Sequence, residues 1–216
     1  MSATPAIIAI TDSSRGTLQR WLEALESLLV LAAPDRVLVM LRDRQLSARE
    51  RMSLGHHLRA LTRRHGQRFS VNDRLDVAVL LDADGVHLSE GSVAASDVRA
   101  FAREHGRSFW ISRATHQPDE AATLDADAVV LAPIAEPRKG RPPLGAEGLA
   151  RARGALASRS NELGRCSLYA LGGVSAANAT AWTRAGADGV ALIGALLEPE
   201  APRALVDALG ARRSTL

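Results

Sequence analysis

Eight short apolar, strand-forming runs recur along the chain, and nearly every one is followed by a stretch with helical periodicity. The runs are Ala6–Thr11, Arg36–Arg42, Phe69–Asp73, Gly85–Ser89, Phe109–Ala114, Ala128–Ile134, Ser167–Gly173 and Gly189–Ala195. Near-continuous apolar runs suit parallel strands covered on both faces. Between them, Leu18–Leu31 places apolar residues at 18, 21, 22, 25, 28 and 29, a single helical stripe. Ser47–His65 opens with Ser47 and Glu50 at capping-box spacing. Val93–His105, Pro118–Leu124, Leu144–Ala157, Ala176–Ala185 and Glu198–Leu209 read as further helices. Gly66, Gly106 and Gly186 stand where helix C-caps belong.

Eight alternations with no break in composition predict one α/β domain over residues 1–216. The expected architecture is a single (β/α)8 TIM barrel with right-handed crossovers. An open doubly wound sheet would want Gly-x-Gly-x-x-Gly after its first strand, and Thr11-Asp12-Ser13-Ser14-Arg15-Gly16 is not that pattern. The chain is short for a barrel, so its bottom loops must be tight, and Glu136–Pro143 is the loop with room to be long.

Aromatics are only 3% of the residues, so Ala, Val and Leu must fill the core. The net charge of +3 comes from scattered arginines, without the basic tracts interleaved with aromatics that mark nucleic-acid binders. The single cysteine, Cys166, excludes an intramolecular disulfide and a cysteine zinc cluster, and fits a reducing compartment. No apolar run approaches the ~18 residues of a membrane span. Met1-Ser2-Ala3-Thr4 lacks the start of a signal peptide, which makes the cytoplasm the expected location.

In a barrel of this class, chemistry gathers at the C-terminal strand ends. Read in order, those ends carry Thr11 and Asp12, Arg42 and Arg44, Asn72 and Asp73, Glu90 and Ser92, His116, Arg138 and Lys139, Gly172 and Gly173, and Ile193 and Gly194. The set is cationic. Glycine after strands seven and eight lets the backbone approach a ligand, and helix N-termini offer free N–H groups, so Gly172, Gly173 and Gly194 form a candidate phosphate cradle. The competing reading is that these glycines serve tight turns alone. Arg42 and Arg44 flank Asp43 and suit phosphate oxygens, or else a salt-bridge network with Asp43 or Asp73. Lys139 and Arg138 are either ligand-closing or simply exposed. His116 is either a proton-transfer group or a helix-start neighbour. His56, His57, His65 and His105 read as surface residues. His87 reads as structural and Cys166 as inert.

At these residues the chain resembles the thiamin phosphate synthase/TenI family. The resemblance is carried by Ala9-Ile-Thr-Asp12, Val39-Met-Leu-Arg-Asp-Arg44, Val71-Asn-Asp-Arg74, Ala83-Asp-Gly-Val-His-Leu88, Pro142-Pro-Leu-Gly-x-Glu-Gly-Leu149, Ala170-Leu-Gly-Gly173 and Ala185-Gly-Ala-Asp-Gly-Val-Ala191. It implies thiamin biosynthesis. The synthase joins a hydroxymethylpyrimidine diphosphate to a thiazole phosphate with release of pyrophosphate, using magnesium. TenI-type relatives bind thiazole phosphates, and some catalyse the proton shift that makes the ring aromatic. A homodimer is the family expectation.

The same resemblance assigns magnesium to the aspartate matching Asp73 and to a second one, where this chain has Ser92. One carboxylate and a hydroxyl make a weak magnesium site, with Glu90 as the one candidate substitute. Met40 replaces a glutamine, Arg44 a lysine and Ala114 a serine, and Glu136-Pro-Arg-Lys139 replaces Thr-Pro-Thr-Lys. His116 matches the histidine implicated in TenI-type proton transfer.

The leading expectation is therefore a TenI-like barrel needing no cofactor. Gly172, Gly173, Ile193 and Gly194 grip a thiazole phosphate, with Arg44 and Lys139 as further anion contacts. Arg42 and Asn72 orient the ring or a carboxylate, and His116 moves the proton. The alternative is a thiamin phosphate synthase, with Asp73 holding Mg2+ and a pyrimidine diphosphate as second substrate. A non-catalytic phosphate-binding barrel is the third.

Overall fold

A computed structural model describes residues 4–159 and 164–213, so the reading of Met1–Ala3 lies outside the described residues. Eight parallel strands close in sequence order, β1 (Ile7–Ile10), β2 (Val37–Leu41), β3 (Arg68–Asn72), β4 (Gly85–Leu88), β5 (Trp110–Thr115), β6 (Ala128–Leu131), β7 (Ser167–Leu171) and β8 (Gly189–Leu192). β8 pairs with β1 through Ile7↔Val190, Ile8↔Ala191 and Ala9↔Leu192, which completes the TIM barrel. The helices are α1 (Leu18–Leu31), α2 (Ala48–Arg64), α3 (Leu75–Leu80), α4 (Ala95–Glu104), α5 (Gly145–Ala157), α6 (Ala179–Arg184) and α7 (Ala201–Ala208). Among the described residues no helix is long and apolar enough to cross a membrane.

Strand parity sorts the core into two layers. Ile7, Val37, Val39, Phe69, Val71, Val86, Ile111, Val129, Leu168 and Val190 face the helices, against Leu25, Leu28, Leu58, Val98, Leu149 and Leu205. Ile8, Ile10, Leu38, Met40, Ala128, Val130, Tyr169 and Ala191 fill the barrel. Each fully buried Leu or Ile contributes roughly 1.5–3 kcal/mol. Ser47 and Glu50 form the expected capping box, and Gly66, Gly106 and Gly186 follow helix ends with positive φ.

Two elements differ in kind from the sequence reading. Leu75–Leu80 is a six-residue helix, apolar at most positions and so without a period to read. Pro118–Thr123 is a 3-10 segment rather than an α-helix. Pro118 at its start has no N–H to donate, and short 3-10 turns commonly serve as connectors.

The base of the barrel repeats one device three times. The aspartate just before β4, β6 and β8 accepts the N–H of the second residue of the preceding strand. Asp84 takes Phe69 N at 2.8 Å, Asp127 takes Ile111 N at 2.7 Å and Asp188 takes Leu168 N at 2.8 Å. Each carboxylate is also paired with an arginine of the helix that leads into that preceding strand. Arg59 lies 2.7 Å from Asp84, Arg99 3.4 Å from Asp127 and Arg153 2.6 Å from Asp188.

Candidate active site

The C-terminal strand ends enclose two connected cavities. The mouth cavity, about 350 Å3, is lined by Ile10, Met40, Arg42, Arg44, Asn72, His87, Ser89, Glu90, His116, Arg138, Lys139 and Arg141. The cradle cavity, about 730 Å3, is lined by Arg15, Arg20, Arg138, Gly172, Gly173, Val174, Ser175, Ile193, Gly194 and Ala195. Arg138, Leu171, Gly172 and Ile193 belong to both.

Local chain geometry builds the cradle. Gly172 (φ 100) and Gly173 (φ 70) follow β7. A Cβ on Gly172 would stand 3.1 Å from Pro133 Cα, and one on Gly173 would stand 2.6 Å from Glu136 Cγ. The glycines therefore do serve the turn, and they also line the cavity. The backbone N–H groups of Gly173, Val174, Gly194 and Ala195 have no protein acceptor among the described residues. Converging unpaired amides of this kind form an anion-binding concavity. The expected helix start at Ala176 is corrected to Ala179. Ser175–Asn178 is a turn closed by Asn178 Oδ1, which accepts from Ser175 N at 2.9 Å. The cradle thus rests on loop amides and not on a helix dipole.

Arg42 and Arg44 both reach the mouth, as their alternation predicts, with Asp43 turned away and buried. Asp43 accepts from Ser13 N at 2.6 Å and from Gln45 Nε2 at 3.3 Å. Arg42 lies 3.5 Å from Asp12, and its pKa is lowered by burial, offset by Asp12 and reinforced by Arg44 and Arg138. Burial pushes the Asp12 carboxyl up, but the Ser14 hydroxyl and amide, together with Arg42 and Arg15, outweigh it and leave the pKa below its ordinary value. The loop after β6 folds as a two-residue hairpin. Arg138 and Arg141 exchange both backbone hydrogen bonds at 3.0 Å, with Lys139 and Gly140 at positive φ between them. Such a turn holds Arg138, Lys139 and Arg141 together at the rim.

Asp73 sits behind Asn72 with both carboxylate oxygens engaged. Oδ1 accepts from Ser89 N at 2.9 Å and from the Ser92 hydroxyl. Oδ2 accepts from the Ser89 hydroxyl at 2.7 Å and from Asn72 Nδ2 at 2.6 Å, and Arg44 lies 3.7 Å away. Burial raises its pKa, and the bonds from Ser89 and Ser92 and the nearby His87 bring it below the ordinary value. Glu90 faces His116 Nε2 at 3.8 Å and Arg141 at 3.5 Å. Magnesium takes an octahedron of hard oxygens. Here one carboxylate is surrounded by donors and by a guanidinium, and the second carboxylate points elsewhere. These residues do not fit the metal, and no step below passes through one.

His116 Nδ1 is bonded to the Ala132 carbonyl. A carbonyl only accepts, so Nδ1 carries a proton there, and Nε2 is turned to the mouth beside Glu90. His87 is the other histidine at this end of the barrel. It faces the barrel interior, lines the mouth and bonds Ser112 Oγ through Nδ1 at 2.8 Å. Burial pushes its pKa down to about 4, against the pull of Asp73, so the ring is neutral at pH 7. Strand parity turns it inward, since Val86 and Leu88 face the helices and His87 stands between them. Arg15 and Arg141 were missed, because only the folded turns bring them to the cavities.

The family model described as thiamine monophosphate synthase matches residues 7–196. The thiamine-phosphate synthase of Thermus thermophilus is 35% identical over 179 residues, covering 81% of this chain and 81% of that protein. That of Roseiflexus sp. is 37% identical over 179 residues, covering 80% of this chain and 71% of that one. That of Gloeobacter violaceus is 34% identical over 186 residues, 84% of this chain, and the match spans 50% of that relative's length. Among solved structures, a thiamine phosphate pyrophosphorylase from Pyrococcus furiosus superposes with a TM-score of 0.78 at 26% identity, covering 94% of this chain and 95% of that one.

Proposed function

We propose, from the premise that the chain belongs to the thiamine monophosphate synthase family, that it binds a thiazole phosphate and moves a proton on the thiazole ring. The observation that carries this reading is the contrast between two strand-end groups. His116 is anchored through Nδ1 on the Ala132 carbonyl and turns Nε2 to the mouth, whereas Asp73 is engaged by hydroxyl and amide donors.

The phosphate occupies the amides of Gly173, Val174, Gly194 and Ala195, and the ring lies inward over Met40 and Ile193. Arg42 and Asn72 face the ring's polar substituents. His116 Nε2 removes a proton from one ring carbon and returns it at the other end of the conjugated system. Atoms and charge balance within the substrate, and the ring ends aromatic. Positioned general acid–base groups of this kind supply about 10²–10⁴-fold in rate.

The relatives' names favour a second reading, thiamine-phosphate synthesis from a thiazole phosphate and a pyrimidine diphosphate. Arg42, Arg44, Arg138, Lys139 and Arg141 at one mouth provide the charge a diphosphate would need. A paired assay separates the two. Purified protein is given the non-aromatic thiazole phosphate alone, then thiazole phosphate with the pyrimidine diphosphate and Mg2+. Isomerisation without release of pyrophosphate is expected. Pyrophosphate release without isomerisation would replace the first reading by the second.

A further inference from the structure

We infer that Arg15 is a phosphate-gripping residue of the cradle and that Asp12 is the positioning residue that holds it there, a role that rests on the binding reading proposed above.

Asp12 caps a 3-10 turn, Ser13–Arg15, just past β1. Its Oδ1 accepts from the Ser14 amide at 3.2 Å and from the Ser14 hydroxyl, which fixes the turn and aims Arg15 toward the end of β8. There the guanidinium lies against Gly194. A Cβ on Gly194 would stand 3.1 Å from Arg15 Nη1 and 3.3 Å from Arg15 Cδ, so the bare Cα leaves room for the side chain to cross. Gly194 has φ −84, a value any residue adopts, so the turn itself does not demand glycine.

Arg15 lines the cradle cavity with Gly172 and Gly173. Among the described residues its protein partner is Asp12 alone, through Nε at 3.5 Å. The planar fork therefore keeps N–H donors free beside the unpaired amides, the arrangement that suits a phosphate dianion. Asp12 Oδ2, the oxygen that faces Arg15, also lies 3.5 Å from Arg42 Nη1, in the mouth. One carboxylate thus ties the arginine of the cradle to the arginine of the mouth. From α1, Arg20 donates to the Leu197 carbonyl at 2.9 Å and anchors the turn that carries the Ala195 amide.

Backbone amides alone bind any small anion. Arg15 adds a full charge, so the discrimination it supplies is for the phosphorylated over the unphosphorylated thiazole. Calorimetric titration of the full chain tests this with thiazole phosphate, the thiazole alcohol and inorganic phosphate. Arg15→Gln is expected to weaken both phosphate ligands by roughly tenfold or more and to leave the alcohol unchanged. Asp12→Asn should weaken the phosphates by a smaller factor, and Asp12→Glu should restore part of the loss, which a general loosening of the fold would not do. Arg15→Gln binding both phosphates like the parent would overturn the inference. If the parent binds inorganic phosphate but not thiazole phosphate, the thiazole reading fails while Arg15 is still judged on inorganic phosphate. A parent that binds none of the three removes both.

Discussion

The Ser92 hydroxyl donates to the Asp73 carboxylate, so at the tips of β3 and β4 an acid is matched with a donor rather than with a second acid. That pairing sets the electrostatic character of the mouth. Arg44, 3.0 Å from the Ser89 hydroxyl and 3.7 Å from Asp73, supplies the positive charge there.

Exchanging Ser92→Asp would face two carboxylates across a short gap. In metal-free buffer the variant should lose about 1–2 kcal/mol, from a lost charge-assisted bond and like-charge repulsion. Added Mg2+ should recover that loss in the variant and leave the parent's melting temperature unmoved. A parent stabilised by millimolar Mg2+ would contradict this account.

His116→Ala should lower isomerisation of thiazole phosphate by about 10²–10⁴-fold. Affinity for the same ligand should change by less than about threefold, because phosphate contacts dominate binding. Single-turnover rates measured beside calorimetry distinguish the two effects. A comparable loss of affinity would make His116 a binding residue.

The buried His87 ring gives stability a pH dependence. Its pKa is about 4 in the folded chain and 6.5 unfolded, so between those values the unfolded state binds more protons. Stability from this group is complete above pH 6.5 and falls as pH drops toward 4. From pH 7 to pH 5 the loss is roughly 2 kcal/mol. Asp12 and Asp73, held below 3.8, titrate beneath that window. Urea unfolding at pH 7 and pH 5 should show the loss in the parent and much less of it in His87→Gln.

Gly173→Ala places a methyl 2.6 Å from Glu136 Cγ at a φ of 70, and should cost about 1–3 kcal/mol of stability. It should also weaken inorganic phosphate binding, since the displaced backbone carries two cradle amides. Thermal unfolding with and without phosphate reads both.

The barrel was legible because its strands are apolar on both faces and its longer helices carry an unbroken stripe, as in Leu18–Leu31. Leu75–Leu80 offered no stripe, and Pro118–Thr123 looked helical only by length. At the site, strand-end position identified Arg42, Asn72, His116 and Gly172, since register alone carries them to the mouth. Arg15 was not legible in that way. It reaches Gly194 from the opposite end of the chain, and only the Asp12-capped turn aims it. A repeat was also there to be read, in Ala83-Asp84-Gly85-Val86, Ala126-Asp127-Ala128-Val129 and Ala187-Asp188-Gly189-Val190. Its meaning emerges only once each aspartate is seen to grip the strand before it.

Those three aspartate clasps lie at the end of the barrel away from the cavities, and none of them touches Met40, Ser92 or the Lys139 hairpin. Strand register is thus locked at one pole while side chains at the other can be exchanged without disturbing it. A scaffold divided in this way can change the anion it greets and still close on the same eight staves.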